Sequence, residues 1–166
     1  MRDEPTPPGL RLDVAGAGDV GFLWEMLTYA ASMAPGGAAS VAAAQGDPYL
    51  RTYVEGWGRP DDLGVVARDD PGAPIGAAWV RAGLIVAGPG APELATAVVP
   101  AHRARGVGAA LMGELLRQAR GRFEAIVLSV RAENPALRFY ERFGFQRERQ
   151  LTNRVGGVSF VMRRLL

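Results

Sequence analysis

Short apolar strands alternating with two well-marked helices predict an α/β (α+β) sandwich of about seven strands and four helices. Three observations carry that prediction. Segments 93–99 and 125–130 are apolar runs of strand length. Between them, 107–120 repeats Leu111, Leu115 and Ala119 on one helical face, flanked by Ala110 and Met112. After them, 134–143 has helical character and closes on Gly144, a residue suited to the left-handed position that ends a helix.

The remaining elements follow in order. Residues 1–8 are polar and proline-rich, neither signal peptide nor anchor, and are expected as a disordered leader ahead of a single domain over 9–166. Alternation at 10–14 marks a first strand. Asp19 is placed to cap a helix over 20–31, with Leu23, Met26, Leu27 and Ala30 on one face. Pro35, Gly36 and Gly37 stop it. A weaker helical stretch covers 48–56 and carries Leu50, Tyr53 and Val54. Segments 63–68 and 74–82 form a hairpin around Asp69-Asp70-Pro71-Gly72. A loop rich in glycine and proline follows at 86–92, and 145–152 with 158–164 close the chain as a second hairpin.

Composition narrows the function. The 166 residues suit one domain that buries roughly two thirds of its unfolded surface. No apolar run approaches the roughly 20 residues that span a bilayer, so no membrane partner is expected. The absence of cysteine and a single histidine, His102, argue against a metal site. Net charge is +2, and all 19 basic residues are arginine. They are dispersed, with no basic stripe interleaved with aromatics, so no nucleic-acid partner is expected. A cytoplasmic location and a monomer or homodimer are the matching expectations.

Two glycine motifs invite phosphate. Residues 16–21 fit G-x-G-x-x-G after a strand, but no second strand ending in an acid lies about 20 residues on, and Asp19 would oppose a pyrophosphate. This segment reads as a turn and helix cap. The second motif, Arg103-Ala104-Arg105-Gly106-Val107-Gly108, lies between a strand and a long helix. Its glycines let the backbone approach a ligand, the first helical turn offers free N–H groups, and Arg103 and Arg105 add charge.

Together with Asn134-Pro135-Ala136-Leu137-Arg138-Phe139-Tyr140-Glu141-Arg142-Phe143-Gly144-Phe145, that turn resembles the GCN5-related N-acetyltransferase superfamily. The family's central motif is Q/R-x-x-G-x-G/A after a strand, and its later element is an Asn before a tyrosine-bearing helix that ends on Gly-Phe. The resemblance is tight over about 91–147. It implies a mixed, mostly antiparallel sheet with helices on both faces, and acetyl-CoA as cosubstrate. It further implies that Arg103, Ala104, Arg105, Gly106, Val107, Gly108 and Ala109 surround the pyrophosphate. Asn134, with Ala136 and Phe139, would lie along the pantetheine arm between strands 93–99 and 125–130. A distortion in the first of these strands would free an N–H among Ala97, Val98 and Val99 for the thioester carbonyl.

The resemblance makes Tyr140 the general acid toward the leaving thiolate; the alternative is a packed aromatic with its hydroxyl on a backbone carbonyl. Glu93 matches a position where some members carry a catalytic glutamate, and otherwise is a strand-end charge. His102 has a suitable titration range, but its place in the phosphate turn favours pyrophosphate contact or solvent exposure over base duty. The implied reaction is direct attack of a primary amine on the thioester in a ternary complex. A non-catalytic acyl-CoA sensor on the same fold is the alternative; a nucleotide-dependent oxidoreductase and a DNA-binding module are more distant rivals.

The acceptor side is expected from the 19–56 helices, the 83–92 loop and the last hairpin. Trp24, Tyr29, Tyr53, Trp57 and Trp79 supply aromatic surface there, and Glu25, Glu55, Asp61 and Asp62 could attract an amine. These residues suit a small amine or a peptide amine alike. Without lysine, the chain cannot acetylate its own lysine side chains.

Overall fold

The structure is a computed structural model that describes residues 6–31, 40–84 and 90–166. A first strand β1 (Arg11–Val14) precedes helix α1 (Val20–Ala31) and helix α2 (Val41–Gly46). Strands β2 (Leu63–Arg68), β3 (Pro74–Arg81) and β4 (Glu93–Val98) follow, then α3 (Val107–Ala119), β5 (Ala125–Arg131) and α4 (Ala136–Arg142). A hairpin of β6 (Gln146–Thr152) and β7 (Val158–Leu165) ends the chain. The seven strands form one sheet in the order β1-β2-β3-β4-β5-β7-β6, antiparallel except between β4 and β5.

Period-two alternation sends side chains to two cores. Leu63, Val65 and Ala67 of β2, with Ala78 and Val80 of β3, pack against Leu111, Leu115 and Leu116 of α3. On the opposite face Val66, Ala77, Trp79 and Ala95 meet Leu23, Met26 and Leu27 of α1. Each buried leucine of these helices contributes roughly 1.5–3 kcal/mol through apolar burial. Helices therefore cover both faces, as the mixed-sheet expectation required.

Several local expectations change. No α-helix spans 48–56. Asp47 Oδ1 accepts the N–H groups of Tyr49 and Leu50 and starts a single 3-10 turn, Leu50–Tyr53, instead. Helix α2, capped by Ser40 Oγ on the Ala43 N–H at 3.1 Å, adds to the expected elements; its Val-Ala-Ala-Ala-Gln-Gly run has no apolar period to betray it. Asp19 does not cap α1 forward. It closes a short 3-10 turn backwards on the Gly16 N–H (2.9 Å) and pairs with Arg68. Of the expected leader, residues 1–5 lie outside the described residues; Pro7 accepts from the Leu10 N–H at 3.1 Å in a defined turn. The expected helix stop at 35–37 and most of the 86–92 loop also lie outside them. No helix among the described residues is long and apolar enough to cross a membrane.

Candidate active site

Strands β4 and β5 pair only at Glu93 and Val127, with the Val127 N–H on the Pro92 carbonyl at 3.0 Å, and then part. A cavity of about 670 Å³ opens where they separate. Its lining includes Glu93 and Thr96 of β4, Leu128, Ser129 and Arg131 of β5, Asn134 and Tyr140. It also includes Leu27 and Ala30 of α1, Asp47, Tyr49 and Tyr53, and Asn153 and Arg154 from the last hairpin. The separation brings together side chains from both faces of the sheet. Tyr140 packs at the rim of the α3-side core, whereas Glu93 engages Tyr53 of the α1-side core.

The turn between β4 and α3 contains two left-handed residues. Gly106 is left-handed at φ 80° and Ala104 at φ 58°, a conformation that costs a residue with a Cβ about 1–2 kcal/mol. The first helical bond of α3 runs from the Ala110 N–H to the Gly106 carbonyl, so the N–H groups of Val107, Gly108 and Ala109 precede the helical ladder. A Cβ at Gly108 would lie 3.9 Å from both Val98 and Phe139, ordinary contact. The fold itself therefore does not demand glycine there. Val98, Gly108 and Phe139 converge at this point, joining the turn to the Asn134 segment. Arg105 is exposed. Arg103 lies back on the chain, donating to the Val98 carbonyl at 3.0 Å and stacking 5.6 Å over Tyr29. His102 is half-buried in this turn and does not line the cavity.

The expected distortion in β4 is absent. Its register with β3 runs unbroken from Glu93–Arg81 to Val98–Gly76. The Val99 N–H is spent on the Ile75 carbonyl at 2.9 Å. Antiparallel alternation then turns Ala97 toward β3 and the N–H groups of Thr96 and Val98 toward the gap. Among Ala97, Val98 and Val99, only Val98 thus presents its N–H to the cleft, and Thr96 joins it.

Asn134 Oδ1 accepts the Ala136 N–H at 2.9 Å and fixes the start of α4. Gly144, at φ 83°, ends that helix as expected. The Tyr140 ring meets Phe139 at 5.6 Å and Phe145 at 6.1 Å, both edge-on. Burial pushes its phenol up to about 12, so the proton stays on oxygen throughout the neutral range.

Glu93 is 1% exposed and accepts the hydroxyl of Tyr53 on Oε1. Burial, then the charge of Glu93, holds the Tyr53 phenol well above its ordinary value. Strand β3 fixes the Tyr53 backbone. Trp79 Nε1 donates to the Tyr53 carbonyl at 3.0 Å, and Arg81 Nη1 donates to Thr52 O (3.0 Å) and Glu55 O (2.6 Å). Arg81 also grips Asp62 through two bonds of 2.9 and 2.8 Å with both side chains buried.

Of the residues expected on the acceptor side, few reach the cavity. Tyr53 lines the cavity; Trp79 is core, and Trp57 lies 5.6 Å under Arg81. Glu25, Glu55 and Asp61 are exposed elsewhere, and Asp62 is consumed by Arg81. Asp47, absent from the expected acids, is the one that reaches the cavity beside Glu93. Arg154 lies 3.0 and 3.2 Å from its carboxylate and 5.1 Å over the Tyr49 ring, and its hydrogen bonds hold Asp47 below the usual carboxylate range. The one local hint is Tyr49 and Tyr53, four residues apart, the first of them two positions after Asp47.

A long helix whose first N–H groups are free of the helical ladder, next to a parted pair of parallel strands, makes an α/β fold with an anion-suited helix start and an open cleft. The acetyltransferase (GNAT) family model matches residues 25–145, and the chain belongs to that family and is an acetyltransferase. No curated protein matches the sequence. Among solved structures, a putative GnaT-family acetyltransferase from Bordetella pertussis is similar at 23% identity, covering 96% of this chain and 98% of its own, with a TM-score of 0.71. A point mutant of the spermidine N-acetyltransferase SpeG from Vibrio cholerae is similar at 20% identity, covering 95% and 94%, with a TM-score of 0.69.

Proposed function

We propose that the chain transfers the acetyl group of acetyl-CoA to a primary amine by direct attack in a ternary complex. The observation that carries this is the meeting of Glu93, Asn134 and Tyr140 in one cavity, whose lining does not include the glycine turn at 103–108. The first-turn N–H groups of α3 and the bare Gly108 backbone suit a pyrophosphate, and the gap between β4 and β5 suits the extended arm behind it. The N–H of Thr96 or Val98 would polarise the thioester carbonyl. Glu93 takes a proton from the amine, directly or through a water, as nitrogen forms its bond to the carbonyl carbon. Tyr140 gives its proton to sulfur as the C–S bond breaks, and the product amide and the free thiol leave.

The cavity also bears on the acceptor. Among the described residues its charged lining is Asp47 and Glu93 against Arg131 and Arg154, a balanced set. Such a set favours a monoamine over a polyamine, in contrast to the substrate named for the Vibrio cholerae neighbour. The test is thiol release from acetyl-CoA against pooled monoamines, peptides and spermidine. Turnover with monoamines ahead of spermidine supports this function. Acetyl-CoA binding without turnover on any amine would instead favour the sensor alternative.

A further inference from the structure

Among the described residues three phenols line the cavity, and the reaction above uses only Tyr140. The other two are joined to Glu93. A phenol has one proton to give, and Tyr53 gives its own to Glu93 Oε1. The 3.1 Å contact between the Tyr49 and Tyr53 hydroxyls must therefore run from Tyr49 to Tyr53. We propose that Tyr49 and Tyr53 are positioning residues for Glu93, forming an aligned pair of donors that holds its carboxylate ionised and oriented in the cleft. The proposal rests on Glu93 being the base.

A carboxylate as buried as Glu93 is penalised by lost solvation. Arg81, its cross-strand partner on β3, directs its guanidinium to Asp62 and to the carbonyls of Thr52 and Glu55. Beyond Tyr49, Asp47 and Arg154 neutralise each other. From α1 the cavity receives Leu27, Ala30 and Ala31, and Val127 is the β5 partner of Glu93. The hydroxyl pair delivers an O–H donor to Oε1, and each hydroxyl strengthens the next.

Both phenols are held on a fixed turn. Tyr49 N–H is bound by Asp47 at 2.8 Å, Thr52 Oγ1 donates to the Tyr49 carbonyl at 2.6 Å, and Trp79 anchors Tyr53. Their rings meet edge-on at 5.8 Å. A packing role would need neither hydroxyl.

The test is a carboxyl-carbon NMR titration of the full-length protein labelled in glutamate, with the Glu93 signal assigned by its loss in Glu93→Gln. Tyr53→Phe keeps the ring and removes the donor, and should raise the Glu93 midpoint by about one to two pH units, a tenfold to hundredfold change in ionisation. Tyr49→Phe should shift it in the same direction by less. An unchanged midpoint in a folded Tyr53→Phe overturns the proposal. Should that variant misfold, Tyr49→Phe decides alone, and an unmoved midpoint there overturns it equally. The base reading is tested separately: Glu93→Gln with undiminished thiol release from acetyl-CoA and benzylamine sinks that reading, whatever the titration shows.

Discussion

Arg154, in the turn between β6 and β7, places its guanidinium on the carboxylate of Asp47 and joins segments 107 residues apart across one end of the cavity. Replacing Arg154 with Met leaves two acids in the lining against Arg131 alone. The KM for spermidine should then fall about three- to tenfold relative to that for benzylamine, and the gain should shrink as salt rises. Steady-state kinetics with both amines at low and high ionic strength check this. An unchanged ratio would mean that the acceptor does not pass Asp47.

The second prediction concerns Arg81, whose removal strands the buried carboxylate of Asp62. Arg81→Met should lose about 3–5 kcal/mol in chemical denaturation. The pH dependence has a definite sign. Burial raises Asp62, but its bonds from Arg81 and from the Arg59 and Gly58 N–H groups outweigh that and leave it below its ordinary value. A depressed acid stabilises the fold above its unfolded pKa, about 4, and that share disappears as pH falls through the lower folded value. In Arg81→Met that lowering contact is gone and burial acts on Asp62 with less opposition, so the variant's stability deficit should be largest at neutral pH and narrow as pH falls below about 4. Because Arg81 also holds the Thr52 carbonyl, activity should fall before unfolding does.

Much of this architecture is legible in local sequence. The 20–31 and 107–120 periodicities place α1 and α3 within a residue, because each helix buries one continuous stripe. The strands follow from two-residue alternation and turn chemistry, and Asp69 does bridge its turn, accepting the Ala73 N–H at 2.8 Å. What stays hidden depends on distant partners. Nothing near Asp62 announces that Arg81 will bury it, and nothing near Asp47 announces Arg154. Tyr53 reads locally as an aromatic, and its hydroxyl acquires meaning only when the sheet brings up Glu93, 40 residues on. Ala97 and Val99 cannot be told from Val98 in advance, because a strand's alternation has no phase until its neighbour is known.

Tyr140→Phe isolates the proton given to sulfur. Its ring contacts persist, so acetyl-CoA affinity and melting temperature should stay unchanged while kcat drops about 10²-fold or more. With the phenol pushed up to about 12, Tyr140 should impose no basic limb on the rate profile near neutral pH. A full kcat in this variant would remove Tyr140 from the acid role.

Gly108→Ala should move stability and binding in opposite directions. Alanine is the better helix former by up to about 1 kcal/mol, and its Cβ meets Val98 and Phe139 only at 3.9 Å. The free protein should melt no lower than the parent, yet bind acetyl-CoA more weakly by calorimetry. Equal affinity would move the pyrophosphate elsewhere.

Beyond Glu93 and Val127 the two strands β4 and β5 make no further pairing, and alternation turns the N–H groups of Thr96 and Val98 toward the gap. Recognition written in the main chain is indifferent to which residues compose it, provided that the pleat keeps its phase. Substitution can then rewrite the Asp47–Arg154 rim and the aromatic approach without disturbing those N–H groups. The same backbone frame persists in a chain only about one fifth identical to this one.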